Sequence, residues 1–285
     1  MNIGIYTRAK NKTIKILEKS LIKRGHKFIL INNLNFDPTN PENTEFPPLD
    51  ILYCWHGAGT MTSFGGRVSV CDYLREKGVR IINEATLNDP LFINKIYQLY
   101  KVSTSKTLAP ESVIQIESNY EKIADKIGNP FILKSAVGTS GKRVALINDQ
   151  KQLDHTAPQF TGIEKLYQKF IRNDGDYRVH VIGGKSVCAY KRTPESGEFR
   201  ANVACGGKMS DVEDVVLKQR LFNIAEKVSE SFTGMDIIGV DLILGLDDDQ
   251  IYFIELNELP GIKQVQEVTG VNIADKMVDY FESLT

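Results

Sequence analysis

The runs Ile237-Ile238-Gly239-Val240-Asp241-Leu242-Ile243-Leu244 and Ile251-Tyr252-Phe253-Ile254-Glu255-Leu256-Asn257 decide how this chain is read. Each is short, apolar and rich in β-branched residues, so each reads as a buried strand. The polar stretch Gly245 to Gln250 joins them as a hairpin turn. Asp241 sits at the centre of the first run, where a carboxylate is costly to bury without a neutralising partner. Glu255 and Asn257 are two apart, so their side chains leave the same face of the second strand. If Asp241 pairs opposite them, three oxygen donors converge, the arrangement that holds Mg²⁺ against nucleotide phosphates. The alternative is a buried aspartate that only hydrogen-bonds to backbone. Asp247-Asp248-Asp249 falls at the turn, where acidic residues favour tight bends, and reads as a solvated tip.

At 285 residues the chain is long enough for two or three compact units with a sizeable core. Its 35 Lys plus Arg balance 36 Asp plus Glu, so no basic field directs it to nucleic acid, though a local positive pocket is compatible. Cys54, Cys71, Cys188 and Cys205 are scattered without CxxC spacing, which suits thiols in a reducing cytoplasm better than a disulfide frame or a zinc site. Met1-Asn2-Ile3-Gly4-Ile5-Tyr6 goes directly into a strand-like run with no leader, and no stretch has the length of a membrane span. A soluble cytoplasmic protein with no membrane partner is expected, and a homo-oligomer is compatible with this reading.

The first part alternates strand and helix: strand Ile3 to Thr7, helix Thr13 to Arg24, strand Lys27 to Ile31, a polar loop from Asn32 to Pro48, strand Asp50 to Cys54, helix Ser63 to Lys77 and strand Val79 to Ile82. This order predicts a small parallel sheet with helices on both faces. A helix from Asp89 to Tyr100 leads into an α+β region, with strands at Phe131 to Lys134, Arg143 to Ile147 and Lys165 to Phe170 around a helix at Tyr120 to Ile127. Antiparallel strands Tyr177 to Ile182 and Ser186 to Arg192 follow, then a helix from Asp211 to Ser231, the hairpin, and a closing helix from Ile273 to Leu284. The expected units are 1–94, 95–171 and 172–285.

Three further groups suit anion handling. Gly138-Thr139-Ser140-Gly141 lies between two strands, and its small residues let backbone N–H groups approach an anionic oxygen, although a plain hairpin loop has the same composition. Lys134 ends an apolar strand and needs an anionic partner. Lys95 fits either that role or an exposed helix position. Arg192 and Arg200 flank Thr193 to Phe199, with Asn202 just beyond; guanidinium forks on a flexible segment suit a carboxylate or phosphate, and a solvated loop with incidental charge is the alternative.

Taken in order, these pieces resemble the ATP-grasp ligases, and most closely their RimK-like branch. Gly57 to Gly66 is similar to that branch's N-terminal loop, Asn94-Lys95 and Lys134 to its two ATP lysines, and Gly138 to Val144 to its glycine lid. Gln168-Lys169-Phe170-Ile171 resembles the strand that meets adenine, and Asp176 the acidic residue near ribose or adenine. Arg192, Arg200 and Asn202 match in order and spacing, as do Asp241, Glu255 and Asn257 as the metal triad. Three positions depart from the pattern: Lys169 stands for a usual Glu, Arg143 for a third lid glycine, and Glu258-Leu259 for Ser-Ser before Pro260-Gly261.

The resemblance implies an N-terminal parallel α/β domain, a central lid domain and a C-terminal antiparallel-sheet domain. It implies ATP as cosubstrate, with Mg²⁺ or Mn²⁺, two ions, as metal. ATP would contact Lys95, Lys134, Gly138, Thr139, Ser140, Gly141, Gln168, Lys169, Phe170, Ile171 and Asp176. Arg200, Arg192 and Asn202 would take part in catalysis. The implied reaction is amide formation through an acyl phosphate, adding an amino acid to a peptide, protein or small-molecule carboxylate. Macrocyclisation of a ribosomal peptide and a catalytically inactive nucleotide-binding regulator are the alternatives.

Overall fold

The computed structural model describes all residues except 8–10, 32–35, 55–63, 89, 115–117, 139–142, 196–197, 199, 202–205 and 285. Thr139, Ser140, Gly141 and Asn202 therefore lie outside the described residues. Strands β1 (Asn2–Tyr6), β2 (Lys27–Ile31), β3 (Ile51–Cys54) and β4 (Arg80–Ile82) form a parallel sheet in the order β2-β1-β3-β4. Alternation along β3 assigns its two faces. Ile51 and Tyr53 pack with Ile14, Leu17 and Leu21 of α1 (Lys12–Lys23), while Leu52 and Cys54 pack with Val70, Cys71 and Leu74 of α2 (Phe64–Glu76). Helices on both faces are as the βα alternation predicts. A short helix α3 (Ala85–Asn88) follows β4.

The expected helix from Asp89 to Tyr100 is instead two pieces. A 3₁₀ turn at Pro90–Ile93 ends at Asn94, whose side chain accepts from the Ile96 and Tyr97 N–H groups and starts α4 (Lys95–Thr104) afresh. Next come β5 (Ser112–Val113), α5 (Tyr120–Ile127), β6 (Phe131–Ser135), β7 (Val144–Ile147), α6 (Gln150–Thr156) and β8 (Lys165–Lys169). Their antiparallel sheet has the order β5-β8-β6-β7. Phe131, Leu133, Ile147 and Tyr167 turn one face onto Ile123 and Ile127 of α5 and Leu153 of α6, which leaves Ile132 and Lys134 on the other.

The third sheet, β11-β10-β9-β12-β13, is antiparallel throughout. It comprises β9 (Asp176–Ile182), β10 (Lys185–Thr193), β11 (Lys208–Asp211), β12 (Ile237–Leu244) and β13 (Ile251–Asn257), with α7 (Val215–Glu230) between β11 and β12. The helix expected from Asp211 starts later, because the Asp214 side chain caps the N–H groups of Val216 and Leu217 and Lys208–Asp211 is drawn into the sheet as an edge strand. Val179, Val181, Ile238, Val240, Leu242 and Phe253 face Leu221, Ala225 and Val228 of α7, together with Val102 of α4. Helices α8 (Lys263–Thr269) and α9 (Ile273–Glu282) close the described chain. Met277, Val278 and Phe281 of α9 join Ile3, Ile5 and Tyr53 of the first sheet in one core.

Asn83 clamps the first sheet to the third. It is 1% exposed and sits at φ +58°, and its Nδ2 donates to the Ile237 carbonyl at 2.8 Å and the Glu258 carbonyl at 2.9 Å. Its Oδ1 accepts from the Ile237 N–H at 2.7 Å, and its own N–H donates to Asp236 Oδ2 at 2.7 Å. Asn83→Ala strips three buried groups of their partners and puts a Cβ without local hydrogen bonding in the left-handed region. A loss of about 3 kcal/mol is expected, read as a lower urea midpoint with an unchanged slope. A midpoint within error of the parent would show that the clamp contributes nothing.

Candidate active site

One face of the third sheet carries the polar side chains. Register places Tyr190, Arg178, Asp241 and Glu255 in one row across β10, β9, β12 and β13. The next row is Cys188, His180, Gly239 and Asn257. Asp241 thus lies directly opposite Glu255, as the hairpin reading expects, with Asn257 two residues on. A bulge after this pair makes Ile254 an extra residue, since Leu242 pairs with Phe253, and both Ile254 and Glu255 border the cleft. A Cβ at Gly239, between His180 and Asn257, would lie 3.1 Å from Pro260 and 3.2 Å from Arg178, so those neighbours would have to give by a few tenths of an ångström.

The buried-Asp alternative takes a form that sequence alone does not suggest. Asp241 is 2% exposed and is held by two arginines instead of backbone. Arg178 grips both its oxygens, with Nη2 to Oδ2 at 2.6 Å, and Arg192 Nη2 donates to Oδ2 at 2.8 Å. Burial raises the pKa of such a carboxyl; the Arg178 and Arg192 charges more than offset that and hold Asp241 well below the usual carboxylate range. Arg192 also pairs with Asp176 through Nε. Arg192 therefore belongs to strand β10 as a buried link in an Arg178–Asp241–Arg192–Asp176 chain, not to a flexible segment as expected. Arg178 is not among the residues the sequence marks out for the site; its only local signal is its i, i+2 spacing from Asp176 on a strand.

The facing wall comes from the central sheet and α4. Lys134 on β6 is 4% exposed, and its Nζ donates to Gln168 Oε1 at 2.8 Å; Gln168 in turn donates to Ser112 Oγ at 2.9 Å. Burial pushes the Lys134 ammonium down to about 8, with Glu255 opposing the shift and Lys95 adding to it. Lys95 opens α4 and is 8% exposed, which removes the exposed-helix alternative. Its Nζ donates to the Gly138 carbonyl at 3.0 Å and lies 3.2 Å from Glu255 Oε2. Gln98, one turn on, fixes α4 to β13 by exchanging hydrogen bonds with the Leu256 N–H and carbonyl, at 2.9 and 3.0 Å.

Lys95, Lys134, Gly138, Gln168, Lys169, Phe170, Ile171, Asp176, Arg192, Arg200, Asp241 and Glu255 all line this single cleft between the two antiparallel sheets. Arg200 is held there by Glu198, with Nη2 to Oε2 at 2.6 Å and Nε to Oε1 at 3.0 Å. Lys169 borders the cleft, but its ammonium reaches out to Glu111 Oε2 at 3.5 Å. Arg143 adopts φ +57°, the left-handed region that glycine occupies without strain, so its departure from the glycine pattern falls at a position built for glycine. Asn257 Nδ2 lies 3.5 Å from Glu255 Oε1. Among the described residues no three His, Cys, Asp or Glu side chains gather at one point; the oxygen groups beside Glu255 are the Asn257 amide and the Asp241 carboxylate, whose two oxygens are engaged by arginine. An all-oxygen donor set of this kind suits Mg²⁺.

Residues 81–281 match the RimK-like ATP-grasp domain. The chain belongs to the RimK-like ATP-grasp family. A relative from Shewanella denitrificans named probable alpha-L-glutamate ligase 2 is 27% identical over 297 residues, covering 99% of this chain and 95% of its own. Among solved structures, the ATP-grasp ligase PsnB, complexed with a phosphomimetic variant of its minimal precursor, Mg and ADP, superposes with a TM-score of 0.71 at 17% identity, over 97% of this chain and 96% of its own. D-alanine–D-alanine ligase from Bacillus anthracis gives 0.69 at 15% identity, over 99% and 96%. The fold is that of the ATP-grasp ligases, with the parallel sheet preceding two antiparallel ones. No helix among the described residues is long and apolar enough to cross a membrane.

Proposed function

We propose that this RimK-like ATP-grasp protein is an ATP-dependent carboxylate–amine ligase that forms an amide through an acyl phosphate. The observation that carries the reading is the meeting of Lys95, Lys134 and Arg200 with Glu255 in one cleft. ATP supplies the phosphoryl group that turns a carboxylate into an acyl phosphate, and an amine then displaces phosphate from the acyl carbon. Lys134 and Lys95 offset phosphate charge from the wall opposite Glu255. Arg200, presented by Glu198, faces the transferring group and steadies negative charge as the acyl centre becomes tetrahedral. Asp241, Glu255 and Asn257 would hold Mg²⁺, which supplies further charge neutralisation when bound. Gly138, Gln168, Asp176 and the segment from Lys169 to Ile171 border the space for the nucleotide. The partner is an amino acid, peptide or protein acceptor. The relatives' name makes L-glutamate the first amine to supply.

The decisive experiment is ADP release with Mg²⁺ and pooled carboxylates and amino acids, followed by mass spectrometry of the products. Release that depends on both substrates, with an amide product, is expected. Nucleotide binding without release in any pool would favour the inactive regulator.

Lys134 gives this reading a pH signature. Its folded-state pKa, about 8, lies below the ordinary lysine value, so the folded protein binds fewer protons than the unfolded chain between about 8 and the unfolded value. Stability therefore gains from this group as pH rises through that window and loses the gain below about 8. Nucleotide affinity should run the other way, falling as pH rises through 8 because phosphate loses an ammonium partner. Titration calorimetry at several pH values checks it, with proton uptake expected on binding near pH 8.5. A flat affinity profile from pH 7 to 9 would remove Lys134 from the phosphate contacts.

A further inference from the structure

We propose that Cys54 and Cys71 form a reversible redox site, in which hydrogen peroxide joins them as a disulfide that fastens the end of β3 to α2. Their sulfurs lie 3.1 Å apart, about 1 Å more than a disulfide bond, so closure asks for only a small shift. Both thiols are free, and they are the polar members of an otherwise apolar cluster that includes Leu52, Val70 and Leu74. Cys54 is 5% exposed and Cys71 1%, so Cys54 is the more open of two buried thiols. Contact with Cys54 and burial both raise the Cys71 thiol, which keeps it protonated at rest.

The step balances with peroxide as the oxidant. The Cys54 sulfur displaces one peroxide oxygen as water and becomes a sulfenic acid. The Cys71 sulfur then attacks the Cys54 sulfur, and the sulfenic oxygen leaves as a second water carrying the Cys71 proton. Two thiols and one peroxide give one disulfide and two waters.

The placement connects this chemistry to the cleft. In open α/β sheets the carboxyl ends of parallel strands face ligand sites, and Cys54 is the last residue of β3. Arg67 precedes Cys71 by four residues on α2, so the two share a helix face. Its charge acts on both Cys71 and Glu258, the residue after Asn257. A bond from Cys71 to β3 therefore fixes the helix that carries Arg67 toward the end of the metal hairpin.

The test oxidises the full chain with hydrogen peroxide, denatures it in an alkylating agent and maps the peptides. A Cys54–Cys71 cross-linked peptide that dithiothreitol removes is expected, and C188S should retain it. Two alkylated thiols, a Cys54 sulfinic acid, or a link to Cys188 or Cys205 would overturn the site. The cross-linked protein should melt several degrees higher than the reduced form, and C71S should show no such rise. An unchanged melting point in cross-linked protein would remove the fastening. ADP release should change at least twofold on oxidation and recover with dithiothreitol; this last readout rests on the ligase reading. The peptide map stands without it, so a cross-link in a protein with no turnover would fail the ligase proposal and leave the redox site intact.

Discussion

Asp241→Asn is expected to cost the folded state about 3–5 kcal/mol, because it strands two guanidiniums that the structure buries against one carboxylate. The substitution keeps the side chain's shape and removes only its charge. Arg192 would then keep Asp176, and Arg178 would keep the charge of Glu255. The folded-state pKa of Asp241 is depressed, so its stabilising contribution is present above the unfolded carboxyl value and is lost as pH falls through the folded one. Urea titrations of parent and variant at pH 7 read the difference directly. Equal midpoints would mean that the arginine chain is decoration. The geometry also shows why this substitution is a poor probe of metal binding: a loss of turnover in Asp241→Asn would report on the fold as well as on the metal.

Glu255→Gln separates the two. Glu255 has about a fifth of its side chain exposed, and its close charged partner is Lys95 at 3.2 Å, so the sheet should fold unaided. Turnover in ADP release is expected to fall by about 10²–10³-fold, the scale of losing one group that stabilises transition-state charge. The melting temperature should stay within a few degrees of the parent. Removing the carboxylate also removes the charge that holds the Lys134 pKa up, so the pH at which nucleotide affinity falls should move lower. Parent-like ADP formation by a folded Glu255→Gln protein would sink the metal assignment.

Much of the geometry of this cleft is legible in the sequence. Period-two alternation put Glu255 and Asn257 on one strand face, and the turn at Gly245 to Gln250 put Asp241 across from them. Lys134 was legible because a lysine on an apolar strand needs a partner. What did not show was anything set by long-range register. The pairing of β9 with β12 brings Arg178 to Asp241 across 63 residues of chain, and no local pattern encodes that distance. The bulge at Ile254 arises from one unmatched residue in a run that looks regular. Nothing local to Asn83 marks it as the residue whose side chain bridges two sheets. The break at Asn94 was readable as a cap signal, but the apolar Leu91-Phe92-Ile93 disguised it as helix.

The packing of α9 against the first sheet has a consequence for how the protein is made. Ile3, Ile5 and Tyr53 share their core with Met277, Val278 and Phe281. During synthesis β1 and β3 emerge well before α9, and the part of their hydrophobic surface that α1 does not cover stays open until α9 leaves the ribosome. The parallel sheet must wait, part-exposed, while the other two sheets are made. It is therefore begun before the other two sheets and completed after them, and the interval between is when a chaperone has most to hold.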